Sequence, residues 1–293
     1  MRRLFLFFGI LLFASSVFAD SLEYSKVYGV KEGMSADEIM KVMYHNKYSL
    51  FAQDYYLPRC QIFYVDKSGF TRTKEAIRER VVKAGEDGIS YKDLIVVTYP
   101  THSKGLAVLT WTYEDFERDQ DTWLWIPSLK KIRKVSASEA DDAFMGSDFT
   151  VEEVSTRRFE DETYELIGEE EFKGYTFEHE GKMKFKGKDC FVIECIPQKP
   201  HWYYSKRLVW IDKDTGGNIF EEYYDKNGDL FKTLFREWVW YEEGGKRYPM
   251  QLSLEVKDLR TGHRTVILNL DSVYDKGLDE SDFTTRRLER SKW

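Results

Sequence analysis

Histidine, cysteine and carboxylate side chains are the natural place to look for chemistry, and here their spacing fits no catalytic template. His45, His102, His179, His201 and His263 are scattered along the chain. There is no H-E-x-x-H run and no C-x-x-C pair, so a zinc site would have to be assembled by folding alone. No G-x-S-x-G nucleophile turn and no glycine-rich phosphate loop occurs. Asp212-Lys213-Asp214-Thr215-Gly216 opens like a calcium loop, but Tyr223 stands where such a loop needs its last acid. It therefore reads as a turn, and Asp225-Lys226-Asn227-Gly228-Asp229 fails in the same way. Glu169-Glu170-Glu171 reads as a solvated strand edge rather than an acid–base pair. These residues predict a protein that is not an enzyme and holds no metal or cofactor. A hydrolase acting on envelope lipids stays open only if folding brings a nucleophile and a base together.

A binding signal lies between Asp121 and Val154. Trp123 and Trp125, two residues apart, share one face of a strand. Lys130, Lys131, Arg133 and Lys134 follow as a basic cluster, and Phe144-Met145-Gly146-Ser147-Asp148-Phe149 sets apolar residues in an irregular segment. Indole rings beside cations suit a boundary where acyl chains meet anionic head groups. The alternative reading puts the tryptophans in the core and the charges on a hairpin tip. The basic patch could equally dock a partner protein.

The elements that position these residues are one helix and many strands. Ser35-Ala36-Asp37-Glu38 is a capping box. Ala36, Ile39, Met40 and Met43 then keep helical spacing. The pattern predicts a helix over 35–48 with Asp37, Lys41 and His45 outward. Met40 and Met43 could line a ligand gate or simply pack the helix on a sheet. Beyond it the chain reads as strands: 61–65, 94–99, 106–113, 122–126, 190–196, 207–211, 250–256 and 266–270. Residues 75–82 fit either a strand or a helix. Met250, Leu252, Leu254 and Val256 alternate with Gln251, Ser253, Glu255 and Lys257, as in a strand with one face in water. Turn chemistry such as Asn227-Gly228, Gly244-Gly245 and Thr261-Gly262 separates the strands. Their regular spacing predicts an antiparallel meander, and a sheet this long must curl, close or split.

The start of the chain is a targeting segment. Met1-Arg2-Arg3 is basic, and Leu4 to Phe18 is apolar but shorter than the roughly 20 residues that span a bilayer. Together with Ala19 these predict a signal peptide cleaved after Ala19, an uncleaved anchor being the alternative. Asp20 follows the cut, so no lipid-modified cysteine is expected there. A bacterial periplasm is the expected location, with full secretion left open.

Composition bounds the rest. The 293 residues carry a formal charge of -7, against the basic excess of a general nucleic-acid binder. A hydrophobic content of 42% excludes a disordered chain, and three cysteines exclude a disulfide scaffold. Cys190 and Cys195, on one strand at odd spacing, point to opposite faces and cannot bridge. Either could pair with Cys60, or all three could be buried thiols. The 16% aromatic content asks for a β-rich core or a greasy contact. Trp111, Trp123, Trp125, Phe144 and Phe149 are its densest group.

The stretch from Trp123 through Ile126-Pro127, Lys130-Lys131, Arg133-Lys134 and Ser136 to Phe144-Met145-Gly146-Ser147-Asp148-Phe149 strongly resembles the LolA-like outer-membrane lipoprotein-sorting family. So do Tyr204-Ser205-Lys206-Arg207, Trp210-Ile211-Asp212-Lys213, Tyr224 to Gly228 and Phe283 to Arg290. The resemblance runs from about residue 34 to 290. It implies one LolA-like domain over 20–293, a half-open antiparallel β-barrel lidded by a few helices. Its apolar concave face would hold acyl chains of lipoprotein or lipid for transfer towards the outer membrane. Met40, Met43, Trp111, Trp123, Trp125, Phe144, Met145 and Phe149 would form the cavity or lid. Lys130, Lys131, Arg133 and Lys134 would meet head groups or a partner, such as an RND-type inner-membrane transporter or an outer-membrane acceptor. An accessory role beside such a transporter, without cargo of its own, is the alternative.

Overall fold

Helix α1 (Ala36–Tyr48) opens the described chain and begins where the capping box places it. The Ser35 N–H donates to the Glu38 carboxylate at 2.8 Å, and the Glu38 N–H donates to the Ser35 hydroxyl at 3.3 Å. Two orphan donors of the first turn are thereby satisfied. The computed structural model describes residues 29–290, apart from 49–51, 84, 116–117, 137–140, 155–156 and 200–201. The predicted signal peptide and its cleavage site lie outside the described residues.

Fifteen strands follow among the described residues. β1 (Asp54–Val65), β2 (Thr71–Val82), β3 (Ile89–Tyr99), β4 (Ala107–Tyr113), β5 (Asp121–Ile126) and β6 (Lys131–Val135) form the first half. After the turn of helix α2 (Val151–Val154) come β7 (Glu162–Glu171), β8 (Tyr175–Phe177), β9 (Lys182–Lys184), β10 (Asp189–Pro197), β11 (Lys206–Asp212), β12 (Asn218–Tyr224), β13 (Leu230–Glu243), β14 (Lys246–Asp258) and β15 (Arg264–Tyr274). Helix α3 (Thr285–Arg290) closes the chain. Thirteen of the strands make one antiparallel sheet in the order β6-β5-β4-β3-β2-β1-β15-β14-β13-β12-β11-β10-β7. It is two meanders joined where β1 pairs with β15, and the hairpin β8–β9 stands apart from it. The fold is therefore mainly β, with a large antiparallel sheet and few helices. β6 and β7 end the order, so the sheet does not close on itself.

Both faces of this sheet are covered. On one face α1 packs Ile39, Met40 and Met43 against Phe191, Ile193 and Cys195 of β10 and Val209 and Ile211 of β11. On the reverse face the β8–β9 hairpin lays Phe177 beside Phe235 and Val266, and α3 lays Leu288 beside Val81, Leu94 and Leu109.

This two-sided cover corrects several expectations. β14 does not have a wet face: Ser253 and Glu255 are buried, bonded to Glu237 at 2.7 Å and by Tyr175 at 2.5 Å. His45 is half-buried rather than outward, because α1 is enclosed on most of its circumference. Residues 75–82 are strand. The β12–β13 connection is a five-residue turn in which the Asp225 carboxylate accepts from the N–H groups of Asn227 and Asp229. Only Gly228 there takes a positive φ, +85°. All three cysteines are free. Cys190 and Cys195 do face opposite ways, one towards Trp210 and one towards α1. Five strands separate β1 from β10, beyond the roughly 7 Å Cα separation a bridge allows, so Cys60 pairs with neither.

Candidate functional site

The alternation of strand residues decides what the α1-covered face offers. In β1 and β2 it presents Cys60, Ile62, Ala76, Arg78 and Arg80, and in β3 Ile95. In β14 and β15 it presents Leu254, Ile267 and Asn269. The end of α1, with Lys47 and Tyr48, and the segment carrying Phe144, Phe149, Glu153 and Val154 lie over these residues. Between the layers is a cavity of about 130 Å³. In volume that is close to an engineered cavity of about 150 Å³ that accommodates benzene.

The segment that closes the cavity is held by its own backbone. The Phe144 N–H donates to the Phe149 carbonyl at 2.8 Å, and Ser147 Oγ donates to the Phe144 carbonyl at 2.6 Å. Met145 and Gly146 take left-handed conformations, φ +51° and +74°, which turns the chain tightly between the two phenylalanines. Lys74 Nζ reaches the Met145 carbonyl at 3.0 Å, and Thr265 Oγ1 donates to Asp148 at 2.8 Å. These bonds fix the loop to β2 and β15.

Charge surrounds the apolar lining. Arg78 and Arg80 both grip Asp93. Burial alone would raise the Asp93 carboxyl, but the two guanidinium groups hold it well below the usual range. Arg236 donates to Glu221, which also accepts from Arg207 at 2.7 Å, Asn218 at 2.6 Å and Tyr223 at 2.8 Å. Arg207 forks onto Glu162 at 2.8 and 2.6 Å, Arg157 pairs with Glu152, and Lys232 reaches Glu153 at 3.2 Å. Four cations thus meet four carboxylates in the interior, which is how buried ions must be arranged. Lys47 belongs to no ion pair among the described residues. Burial, and then Arg236, push its pKa well below the usual lysine value.

The sequence-predicted residues fall in separate places. Phe144 and Phe149 line the cavity. Met145, in the same loop, contributes its carbonyl to Lys74 and is not part of the lining. Met40 and Met43 are buried against β10 and β11, the ordinary helix-on-sheet packing. Trp111, Trp123 and Trp125 are on the reverse face, packed with Phe283 and Leu288. Trp111 Nε1 donates to the Phe283 carbonyl at 2.9 Å, and the Trp111 and Trp123 rings meet edge to face at 5.5 Å. This corrects the grouping of the tryptophans with the cavity: their register with Leu94 and Leu109 puts them on the other side of the sheet. Lys130, Lys131, Arg133 and Lys134 are exposed on the β5–β6 hairpin, and Lys134 pairs with Asp121 at 2.5 Å. The turn carrying Leu129 and Lys130 lies at the same end of the sheet as Phe70, Tyr99 and Leu259, all four apolar residues being exposed. Among the described residues no group of three or more histidine, cysteine or carboxylate side chains could hold a metal ion. No helix among them is long and apolar enough to cross a membrane.

A family model described as "-like: Uncharacterized protein" matches residues 90–290. The solved structure of an outer membrane lipoprotein-sorting protein domain from Vibrio parahaemolyticus is 25% identical over 87% of this chain and 98% of that one, at a TM-score of 0.72. The chain belongs to the family whose model covers residues 90–290, and its fold is LolA-like. A DUF1329 family protein from Desulfovibrio piger is similar at 26% identity, over 85% of this chain and 98% of that one, with a TM-score of 0.69. A LolA superfamily protein from Nitrosomonas europaea shares the fold, with a TM-score of 0.60 at 16% identity over 87% and 99% of the two chains. No curated protein matches the sequence.

In this LolA-like protein the stretch that carries the family resemblance spans both faces. Its Trp123 and Trp125 seat α3, and its Phe144 and Phe149 wall the cavity. The charged lining is what the sequence reading missed. A signal for it exists: Arg207 alternates onto the face of Val209 and Ile211, and Arg236 onto that of Leu234. A charge on the apolar side of a strand announces a buried partner.

Proposed function

We propose that this protein is a periplasmic carrier that shelters acyl chains of lipid or lipoprotein in the cavity between α1 and the sheet, for transfer towards the outer membrane. The observation that carries the reading is the apolar lining of Ile62, Ala76, Ile95, Leu254, Ile267 and Phe149 on a face closed by a short loop and a helix end. The lipoprotein-sorting name of the Vibrio relative supports the same class. The open ends β6 and β7 fit a half-open barrel curled around α1. Met1 to Ala19 act as the export signal in this reading, and the chain does no chemistry of its own.

Each CH₂ withdrawn from water contributes about 0.8 kcal/mol, so a carrier needs apolar volume more than polar anchors. The space present is sized for one ring-like group, so loading a long chain requires the loop around Phe144 and Phe149 to move away from β2 and β15. The basic turn at Lys130 and Lys131, with Leu129 exposed beside it, is the surface that meets anionic head groups or an acceptor protein.

Protein isolated from its envelope fraction without detergent stripping should release lipid on organic extraction, seen by mass spectrometry. Once emptied, it should take up a fluorescent fatty-acyl probe. Protein that carries no lipid and stays blind to the probe would refute the reading. Charge reversal at Lys130 and Lys131 should leave probe uptake intact while slowing transfer to anionic vesicles.

A further inference from the structure

The carrier reading says nothing about what lies at the polar end of the cargo, and the charges around the cavity do. Among the described residues four cationic side chains line it, Lys47, Arg78, Arg80 and Arg236, against one carboxylate, Glu153. Glu153 is already engaged by Lys232 and by the Thr150 N–H at 2.9 Å. Arg78 and Arg80 share a single carboxylate, Asp93. Arg236 is 2% exposed, and only its Nη1 reaches Glu221, leaving the buried Nε–H with no acceptor among the described residues. Lys47 lines the cavity and belongs to no ion pair among the described residues, Glu221 acting on it only through space.

The internal ion pairs of Arg157, Arg207, Arg236 and Lys232 with Glu152, Glu153, Glu162 and Glu221 are balanced one for one, whereas Arg78 and Arg80 share Asp93 and Lys47 has no ion pair among the described residues, so cations outnumber carboxylates around the cavity. A half-buried ammonium with no ion pair among the described residues and an unsatisfied guanidinium N–H both leave room for an anion to stabilise the protein. Residues kept in that condition on a cavity wall are suited to a ligand that supplies the missing anion.

We propose that the cavity selects anionic amphiphiles, binding a single negatively charged head group, carboxylate or phosphate monoester, between Lys47 Nζ and Arg236 Nε with its alkyl chain along Ile62, Ile95, Leu254 and Ile267. The inference rests on the carrier reading, and it narrows the cargo from any acyl chain to one with a charged end. A neutral chain of equal length would leave both donors unpaired and bind more weakly.

The test is calorimetric titration of the lipid-free protein with dodecanoate, dodecyl phosphate, dodecanol and inorganic phosphate. The wild-type protein should bind the two anionic amphiphiles at least about tenfold more tightly than dodecanol, as a charge-assisted hydrogen bond requires, and should bind inorganic phosphate far more weakly than either. Lys47→Met keeps the length of the side chain while removing the charge; it should abolish most of that preference. Equal affinity for dodecanol and dodecanoate in the wild type would overturn the head-group assignment while leaving the carrier standing. Failure of all three amphiphiles would overturn both. Inorganic phosphate binding as tightly as dodecyl phosphate would make this a free-anion site and overturn the proposal. A preference undiminished in a folded Lys47→Met would overturn the role of Lys47. The wild-type comparison depends on no variant folding.

Discussion

Arg80 donates to the main-chain carbonyl of Tyr48 at 2.7 Å, fastening the last turn of α1 to β2 at the edge of the cavity. A C-terminal helix carbonyl is one of the groups a helix cannot satisfy internally. The same guanidinium holds Asp93, and Tyr48 in turn receives the Arg157 N–H on its hydroxyl at 3.1 Å. The helix end, β2, β3 and the chain after α2 are therefore tied through one tyrosine. Arg80→Leu leaves the Tyr48 carbonyl without its donor and Asp93 with Arg78 alone. Breaking a buried pair in this way should cost about 3 kcal/mol. The check is a lower urea midpoint at unchanged slope.

Glu221 takes bonds from Arg207, Arg236, Asn218 and Tyr223. Burial alone would raise its pKa; Arg236 and Arg207 instead hold it well below the usual range. Glu221→Gln keeps the shape and removes the charge, leaving two buried guanidinium groups under-compensated. The expected loss is about 3–5 kcal/mol, or roughly 10 °C in Tm for a chain of this size. A Tm within two degrees of wild type would show that the network is not needed for stability.

The two faces of the sheet should separate in mutation. Trp123→Ala removes a ring packed on Trp111 and α3 and should lower stability by about 2 kcal/mol with acyl-probe affinity unchanged. Ile95→Trp fills the cavity and should abolish probe binding at a cost of about 1–3 kcal/mol. The pair of unfolding curves and probe titrations checks this, and loss of probe binding in Trp123→Ala would contradict the placement of the cavity.

His45 gives the fold an acid sensitivity. Burial lowers its pKa from 6.5 to about 4. The folded state therefore binds fewer protons than the unfolded chain between those values, and falling pH favours unfolding. Stability should drop as pH goes from about 6.5 to 4, by up to roughly 3 kcal/mol. His45→Gln should flatten that part of the Tm profile, measured as the difference from wild type.

Much of the fold was legible because it is local. The Ser35–Glu38 capping box, the helical spacing of Ile39, Met40 and Met43, and the turns that separate the strands are set by residues a few positions apart. The meander follows from them, since short turns join neighbours. The opposite facing of Cys190 and Cys195 needed only the two-residue period of a strand.

The same period leaves open which face is which. Trp123 and Trp125 were known to lie together, but whether that side meets a cavity or a helix depended on α3, some 160 residues later. The burial of Ser253 and Glu255 depended likewise on the β8–β9 hairpin. The cavity charges are the clearest case. Arg207, Glu221 and Arg236 sit on three successive strands, and Glu162 arrives from β7, so their pairing exists only once those strands are in register. Sequence alone determined the elements, their order and the family they resemble. Only tertiary structure decided which face encloses the cavity, and that Lys47 stands on its wall with no ion pair among the described residues. Burial and ion pairing are properties of neighbours in space, and a sequence period of two fixes alternation but not what covers each side.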